Sequence, residues 1–273
     1  MRIALAQMDC VPGDVGANVA KIDRFAAEAQ AAGCEALFVP ELADTGYAAD
    51  AVRECGGPWP GAIGYDAVRA SAEEHGIAIF CGMPERADEA WHNGLAVFDA
   101  AGTAVAGYRK LFLFDGAGAW EPGTFTPGTE PAVCDFASRR WGLSVCYDLR
   151  FPELYRTLTD RGADVLVNCS AWPIVRWEHW DLLTRARAVE NQAFFVACNR
   201  CGTDAQETGG ALTFAGRSRV VAPTGELLAE AGPEGEELLI ADLDFAAMDA
   251  FRKTLPALGA RRPTLFPDAG GAG

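Results

Sequence analysis

Trp141-Gly-Leu-Ser-Val-Cys-Tyr-Asp-Leu-Arg-Phe-Pro-Glu-Leu-Tyr-Arg156 is the stretch whose reading decides the fold. It is apolar from Trp141 to Val145, with a β-branched residue just before Cys146, and reads as a buried strand. The chain then turns through Tyr147, Asp148, Leu149 and Arg150. Pro152 and Glu153 stand where a helix begins, since proline lacks only an N–H that has no partner there and an acid meets the positive end of the helix dipole. Leu154, Leu158 and Arg161 keep helical spacing, and Gly162 offers a stop. Asp164-Val-Leu-Val-Asn168 reads as the next strand. The unit is strand–turn–helix–strand with a cysteine at the strand's carboxyl edge, where open α/β sheets collect reactive groups.

The same order of elements occurs upstream. Arg2 to Met8 reads as a buried strand, and Asn18 as the cap of a helix with Val19, Ile22, Phe25, Ala26 and Ala29 on one face. A strand over 35–40 ends at Glu41; a loop and a Gly/Pro-rich patch over 56–64 lead to a helix from Asp66 to His75. A strand from Gly76 to Gly82 follows. The segments 94–98 and 103–108 flank Asp99-Ala-Ala-Gly102 and make a hairpin, with Lys110 just past it. Downstream of Cys146 come helices over 152–161 and 178–190, strands over 164–168 and 193–198, and a hairpin turning at Pro223-Thr-Gly225. Each half therefore reads strand–helix–strand–helix–strand–hairpin. The expected architecture is α/β: two mixed sheets face to face, each covered by its two helices, a four-layer α-β-β-α sandwich. One domain is expected over 1–264, with residues from Phe245 on as an arm and 265–273 as a flexible C-terminal tail.

Composition narrows the function. The chain has 273 residues, and half of them are hydrophobic, enough for one large core. A net charge of −15 argues against a nucleic-acid partner, which requires clustered Lys and Arg. No window approaches the roughly 18 apolar residues of a membrane span, and the apolar run at residues 1–6 is too short for a signal peptide. Nine cysteines, an odd number, fit a reduced, cytoplasmic protein in which most are buried small hydrophobes. Cys198-Asn-Arg-Cys201 has redox-like spacing but follows a strand, and it reads as structural. His92 and His179 have no evident ligand partners; no metal and no cofactor are expected, since phosphate-loop and metal-cluster motifs are both lacking.

Glu41, Lys110 and Cys146 share one topological address, the end of a strand where the apolar pattern breaks. A carboxylate can take a thiol proton, and an ammonium can hold the oxyanion that forms when sulfur attacks a carbonyl or nitrile carbon. Spacing alone leaves the bland reading open, because a buried cysteine is ordinarily inert.

These residues resemble those of the nitrilase, or carbon–nitrogen hydrolase, superfamily. The resemblance spans Arg2 to about Pro263. It rests on Pro40-Glu-Leu-Ala-Asp-Thr-Gly-Tyr47, Tyr108-Arg-Lys-Leu-Phe-Leu-Phe114 and Gly142-Leu-Ser-Val-Cys-Tyr-Asp-Leu-Arg-Phe-Pro152. Further matches are Asn168-Cys-Ser-Ala-Trp-Pro173, Arg185-Ala-Arg-Ala-Val-Glu-Asn191, Gly216-Arg-Ser-Arg-Val-Val221 and Arg261-Arg-Pro263. It implies the four-layer sandwich reached above, a Glu41–Lys110–Cys146 triad, the backbone N–H of Tyr147 as an oxyanion donor, and a second glutamate. Glu121 in Trp120-Glu-Pro-Gly123 is the first candidate for that glutamate and Glu130 the second.

The wording of these motifs is closest to the omega-amidase branch, which cleaves the terminal amide of 2-oxo acid monoamides to a dicarboxylate and ammonia. Such a substrate carries a carboxylate, so a further cation is implied: Arg176 first, then Arg150, with Trp172 as a wall of the pocket. Phe112 departs from the family, which often has histidine there. Tyr147-Asp148 stands where nitrilases carry Trp-Glu, which favours an amidase over a nitrile hydrolase. The alternatives are an N-carbamoyl amino-acid amidohydrolase and, in another class, a non-catalytic binding or scaffold member. The resemblance also implies a homodimer or higher homo-oligomer, with the helix around Trp180 to Val189 and the arm from Phe251 to Phe266 as interface pieces.

Overall fold

The alternating apolar runs form two six-stranded mixed sheets in the computed structural model, which describes residues 1–116, 118–205 and 211–262. In the first sheet β1 (Arg2–Gln7), β2 (Ala36–Val39) and β3 (Ala78–Ala87) run parallel, joined by helices α1 (Val15–Ala31) and α3 (Ile63–His75). The strands β4 (Ala90–Phe98) and β5 (Ala104–Arg109) continue it as antiparallel hairpins. The second sheet repeats the plan with parallel β7 (Arg139–Val145), β8 (Val165–Ser170) and β9 (Phe194–Asn199), joined by α4 (Pro152–Asp160) and α5 (Trp177–Asn191). Its hairpin is β12 (Arg219–Val221) and β13 (Leu227–Glu230). Each sheet gains one antiparallel strand at its far edge, β6 (Val133–Phe136) beside β7 and β14 (Glu237–Asp242) beside β1. The two halves therefore match in order of elements, as the sequence implies.

Side-chain alternation explains why the sheets stack. Along a strand, neighbours point to opposite faces. Ala4, Ala6, Leu37, Val39, Ile79 and Cys81 of the first sheet pack with Ile22, Phe25 and Ala26 of α1 and Val68 and Ala72 of α3. Their neighbours Ile3, Leu5, Phe38 and Phe80 face the other way and join Trp141, Leu143 and Val145 of the second sheet in one core. Trp141 lies between the sheets, its ring 5.7 Å from Phe38 and 5.5 Å from Phe80. Cys198 on β9 also spans the gap, its thiol donating to the backbone oxygens of Phe38 at 3.3 Å and Ala6 at 3.5 Å. That gives the Cys198-x-x-Cys201 pair a structural place, and both thiols are free and buried.

Several expectations need correction. Asn18 is not a helix cap: Asp14 caps α1 by accepting from the N–H of Ala17 at 2.9 Å. Asn18, one turn inside, is fully buried and clamps the loop before it by bonding both backbone groups of Val11 and the carbonyl of Asp44. The segment that reads as a loop before the Gly/Pro patch contains a helix, α2 (Ala49–Cys55), with only Ala51 and Val52 buried. The strand β6, the small hairpin of β10 (Thr203–Ala205) and β11 (Ala211–Thr213), and three residues at the start of α3 are further elements the pattern missed. The expected arm begins as helix α6 (Phe245–Thr254), held to the body by Phe245 against Phe194 and by an Arg252–Asp164 ion pair of 2.7 Å. The expected tail, 265–273, lies outside the described residues.

Because Trp141 fills the space between the sheets without exposure, Trp141→Ala is expected to lower stability by about 3–5 kcal/mol through the cavity it leaves. Chemical denaturation measures this, and a loss below about 1 kcal/mol would contradict the placement of the core.

Candidate active site

Topology brings the polar residues to one edge. The strands β1, β2 and β3 are parallel, and β5, two antiparallel steps from β3, runs the same way. Glu41, just past β2, and Lys110, just past β5, therefore emerge at the same end of the first sheet. Asn93 on antiparallel β4 enters at that end, and its carbonyl accepts the Lys110 N–H at 2.8 Å. Cys146 follows β7 and Ala171 and Trp172 follow β8, so the second sheet adds its carboxyl edge across the gap.

The local turns are tight. Cys146 has φ 44° and Leu42, beside Glu41, φ 48°, both in the left-handed region that non-glycine residues seldom occupy. Cys146 begins a short 3-10 turn through Arg150, so the thiol projects from a sharp strand-to-helix bend. Gly82 on β3 lets the Glu41 backbone approach: a Cβ there would lie 2.6 Å from the Glu41 Cα and 2.4 Å from the Pro40 carbonyl oxygen.

The three ionic groups are almost wholly buried. Lys110 Nζ donates to Glu41 Oε1 at 2.8 Å and to Glu121 Oε1 at 2.8 Å. Glu41 also accepts from Asn93 Nδ2 at 2.6 Å and from the Ala171 N–H at 2.9 Å. Glu121 accepts from the Tyr47 hydroxyl at 2.6 Å and the Phe114 N–H at 2.9 Å. Burial alone would push the Lys110 ammonium down, but Glu121 and Glu41 more than offset it and hold the lysine charged. Burial pushes the Cys146 thiol well above its ordinary value and Glu41 adds to this, while Lys110 pulls the other way. Cys146 is therefore a thiol next to a carboxylate, not a preformed thiolate.

The structure brings Glu41, Lys110, Cys146 and Glu121 together. Glu130 lies elsewhere, exposed, in a separate groove with Arg109 and Trp59. Asn93 and Tyr47, which hold the two glutamates, have no role in the sequence reading. The signal for Asn93 was a lone amide inside the apolar strand that carries Gly94-Leu-Ala-Val-Phe98. His92 is satisfied by the Thr126 carbonyl at 2.7 Å, and His179 faces Arg150 at 3.2 Å.

A cavity of about 260 Å³ opens over Cys146. Tyr47, Phe114, Trp120, Tyr147, Trp172 and Val175 line it, together with Arg150 and Arg176. Trp172 is buried and forms a wall, its indole N–H bonded to the Arg176 carbonyl at 2.8 Å. The Arg150 guanidinium lies 4.8 Å over the Trp172 ring, and that of Arg176 5.6 Å over Phe114. Burial and then the nearby Arg176 lower the Arg150 pKa, and neither arginine forms a salt bridge with a described carboxylate. Phe112, at the position where the family often has histidine, stacks on Phe151 at 3.7 Å.

Such a site suits acyl transfer to a thiol. Residues 2–253 match the carbon–nitrogen hydrolase family model, and the chain belongs to that family. It is similar to the 2-oxoglutaramate amidase of Paenarthrobacter nicotinovorans, 38% identical over 188 residues, 67% of this chain and 61% of that one. A 2-oxoglutaramate amidase of Bacillus subtilis is 31% identical, over 97% of this chain and 98% of that one. Among solved structures, the NitN amidase of Nesterenkonia sp. AN1 superposes with TM-score 0.84 at 32% identity, covering 97% of this chain and 98% of that one. A variant of that enzyme carries the acetamide moiety of fluoroacetamide covalently added at its active site cysteine.

With the thiol pushed up by burial and by Glu41, the ultraviolet absorbance difference between wild type and Cys146→Ala should show no thiolate step from about pH 6 to about pH 9. A step at neutral pH that vanishes with Cys146 would overturn the thiol assignment.

Proposed function

We propose that the protein is an amidase of the omega-amidase kind, cleaving the terminal amide of a small 2-oxo acid monoamide to a dicarboxylate and ammonia. The observation that carries this is the polarity of the cavity. Cys146, beside the buried Glu41–Lys110–Glu121 cluster, opens into the cavity, and two guanidiniums without described carboxylate partners line its walls. The volume sits just below the usual ~300–1,000 Å³ of ligand pockets, which favours a small acid amide. Two bacterial relatives are 2-oxoglutaramate amidases, which supports this reading.

In this mechanism the Glu41 carboxylate accepts the thiol proton as Cys146 Sγ bonds to the amide carbon. The resulting oxyanion is held by the Lys110 ammonium and the Tyr147 backbone N–H. Glu41 passes its proton to the nitrogen, the C–N bond breaks, and ammonia leaves a thioester. Water then loses a proton to Glu41 and attacks that carbon. The C–S bond breaks, the acid departs, and the sulfur recovers its proton from Glu41. Glu121 keeps the Lys110 charge in place, while Arg176 and Arg150 take the substrate carboxylate and Trp172 walls its chain. No step requires a cofactor.

Ammonia release from a panel of 2-oxo acid amides, neutral amides, carbamoyl amino acids and nitriles tests this reading. 2-Oxoglutaramate should be cleaved with the highest kcat/KM, and Cys146→Ala should abolish turnover. Losing a charged hydrogen bond is worth about 1.5–3 kcal/mol, so Arg176→Gln or Arg150→Gln should raise KM for the acid amide roughly 10- to 100-fold and spare neutral amides. Equal losses on neutral amides would remove the carboxylate role. Ammonia from no member of the panel would favour a scaffold protein.

The same reading includes a cytoplasmic homodimer. Leu182 and Val189 of α5 and Leu227 and Leu228 of β13 are exposed apolar side chains, and Val189 touches the turn between β12 and β13. Nine unpaired thiols suit a reducing compartment. No described helix is long and apolar enough to cross a membrane. Sedimentation as a monomer at micromolar concentration would remove the dimer, and recovery outside the cytosolic fraction the compartment.

A further inference from the structure

Asp148 is fully buried and does not line the cavity, yet it stands two residues from Cys146. Its Oδ2 accepts from the Val145 N–H at 2.9 Å and from the Tyr108 hydroxyl at 2.7 Å. Its Oδ1 accepts from the Phe112 N–H at 3.0 Å. Val145 immediately precedes Cys146, and Tyr108 and Phe112 bracket Lys110 two residues to either side. The Tyr108 oxygen in turn accepts from the Leu111 N–H at 3.3 Å. Among the described residues, every hydrogen bond between the lysine segment 108–114 and the cysteine segment 144–151 ends on this carboxylate. The two segments belong to different sheets, so strand pairing does not fix their separation.

We propose that Asp148 is a positioning residue, a buried carboxylate that sets the Lys110 ammonium at the distance from the Cys146 thiol at which it can hold an oxyanion. The proposal rests on the amidase reading. The anion suits this task because it offers acceptors only, and all three groups that reach it are donors. Burial pushes its carboxyl up to about 6, opposed by the Tyr108 hydroxyl, the Val145 N–H and Lys110, and the three donors around it favour the anion. The aromatic contacts between the segments, Phe112 stacked on Phe151 and Phe114 edge-on to Tyr147, are apolar and lack that directionality.

Asp148→Asn keeps the size but replaces one oxygen with an amide donor, which must then meet an N–H or the Tyr108 hydroxyl. Displacing one reacting group by about 1 Å can cost on the order of 10²-fold in rate. We expect kcat per titratable thiol, counted with a haloacetamide, to fall about 10²-fold while KM stays within about threefold, because the arginines and Trp172 are untouched. Unchanged kcat per titratable thiol would overturn the proposal, even if the melting temperature falls, since that is the mark of a purely structural role. A change confined to KM would overturn it too. Should Asp148→Asn fail to fold, Tyr108→Phe decides: it deletes one of the three hydrogen bonds, worth about 1 kcal/mol, and should lower kcat roughly three- to tenfold at constant KM. Unchanged kcat there would overturn the proposal. A wild type that releases no ammonia from any amide overturns both readings; an active wild type with wild-type variants overturns this one alone.

Discussion

The Lys110 ammonium held between two buried carboxylates is the interaction on which the rest of the site depends. A charge taken out of water costs several kcal/mol unless it is paired and its remaining hydrogen-bonding capacity is met. Lys110 meets this with Glu41 and Glu121, each at 2.8 Å. Each glutamate is then satisfied separately, Glu41 by Asn93 and the Ala171 N–H, Glu121 by Tyr47 and the Phe114 N–H. Burial raises the thiol next to the cluster, and Glu41 adds to this while Lys110 opposes it. The consequence is a carboxylate adjacent to a protonated thiol, which is the arrangement the proposed general-base role of Glu41 uses without a preformed ion pair.

This cluster explains why the fold needs two sheets. Glu41, Asn93 and Lys110 come from strands of one sheet, and Cys146 and Ala171 from the carboxyl edge of the other. Glu41 is bonded from both sides, by Asn93 on its own sheet and by the Ala171 N–H across the gap. Any change in how the sheets pack moves Glu41, Lys110 and Cys146 relative to each other. The aromatic core around Trp141, Phe38 and Phe80 fixes that packing from inside, and the hydrogen bonds to Asp148 tie it at the edge.

What was legible in the sequence follows from what each feature depends on. Periodicity reports which face of an element is buried, so the strand and helix order of both halves could be read, and with it the sandwich. Cys146 and Glu41 could be placed because the apolar run stops there. The choice of Glu121 over Glu130 could not, because both sit in Gly- and Pro-rich segments where the chain direction follows no period. Asn18 misled for a related reason. Asp14 and Asn18 both have capping side chains, and only the position of the Val11 backbone shows that Asn18 is spent on the loop. The contacts of Asn93, Tyr47 and Asp148 are not legible because their partners lie 52, 74 and 40 residues away in the chain. A residue whose role is to satisfy another residue's charge leaves no local signature.

The net charge of −15 makes the proposed acidic substrate an odd choice at first sight. Charges separated by more than about 8–10 Å through water are largely screened at ordinary ionic strength, so the total counts for less than the field within the cavity. Cys146 lines that cavity and lies beside the buried cluster in which Lys110 faces Glu41 and Glu121. The walls carry two guanidiniums, flattened on Trp172 and Phe114 and repelling each other. An anion bound by the arginines relieves that repulsion. A monoamide of a dicarboxylic acid has this polarity, neutral at the end that reacts and anionic at the other. On the proposed reading, a dicarboxylate product would put a second anion beside Cys146 and the two glutamates, and that repulsion favours its release.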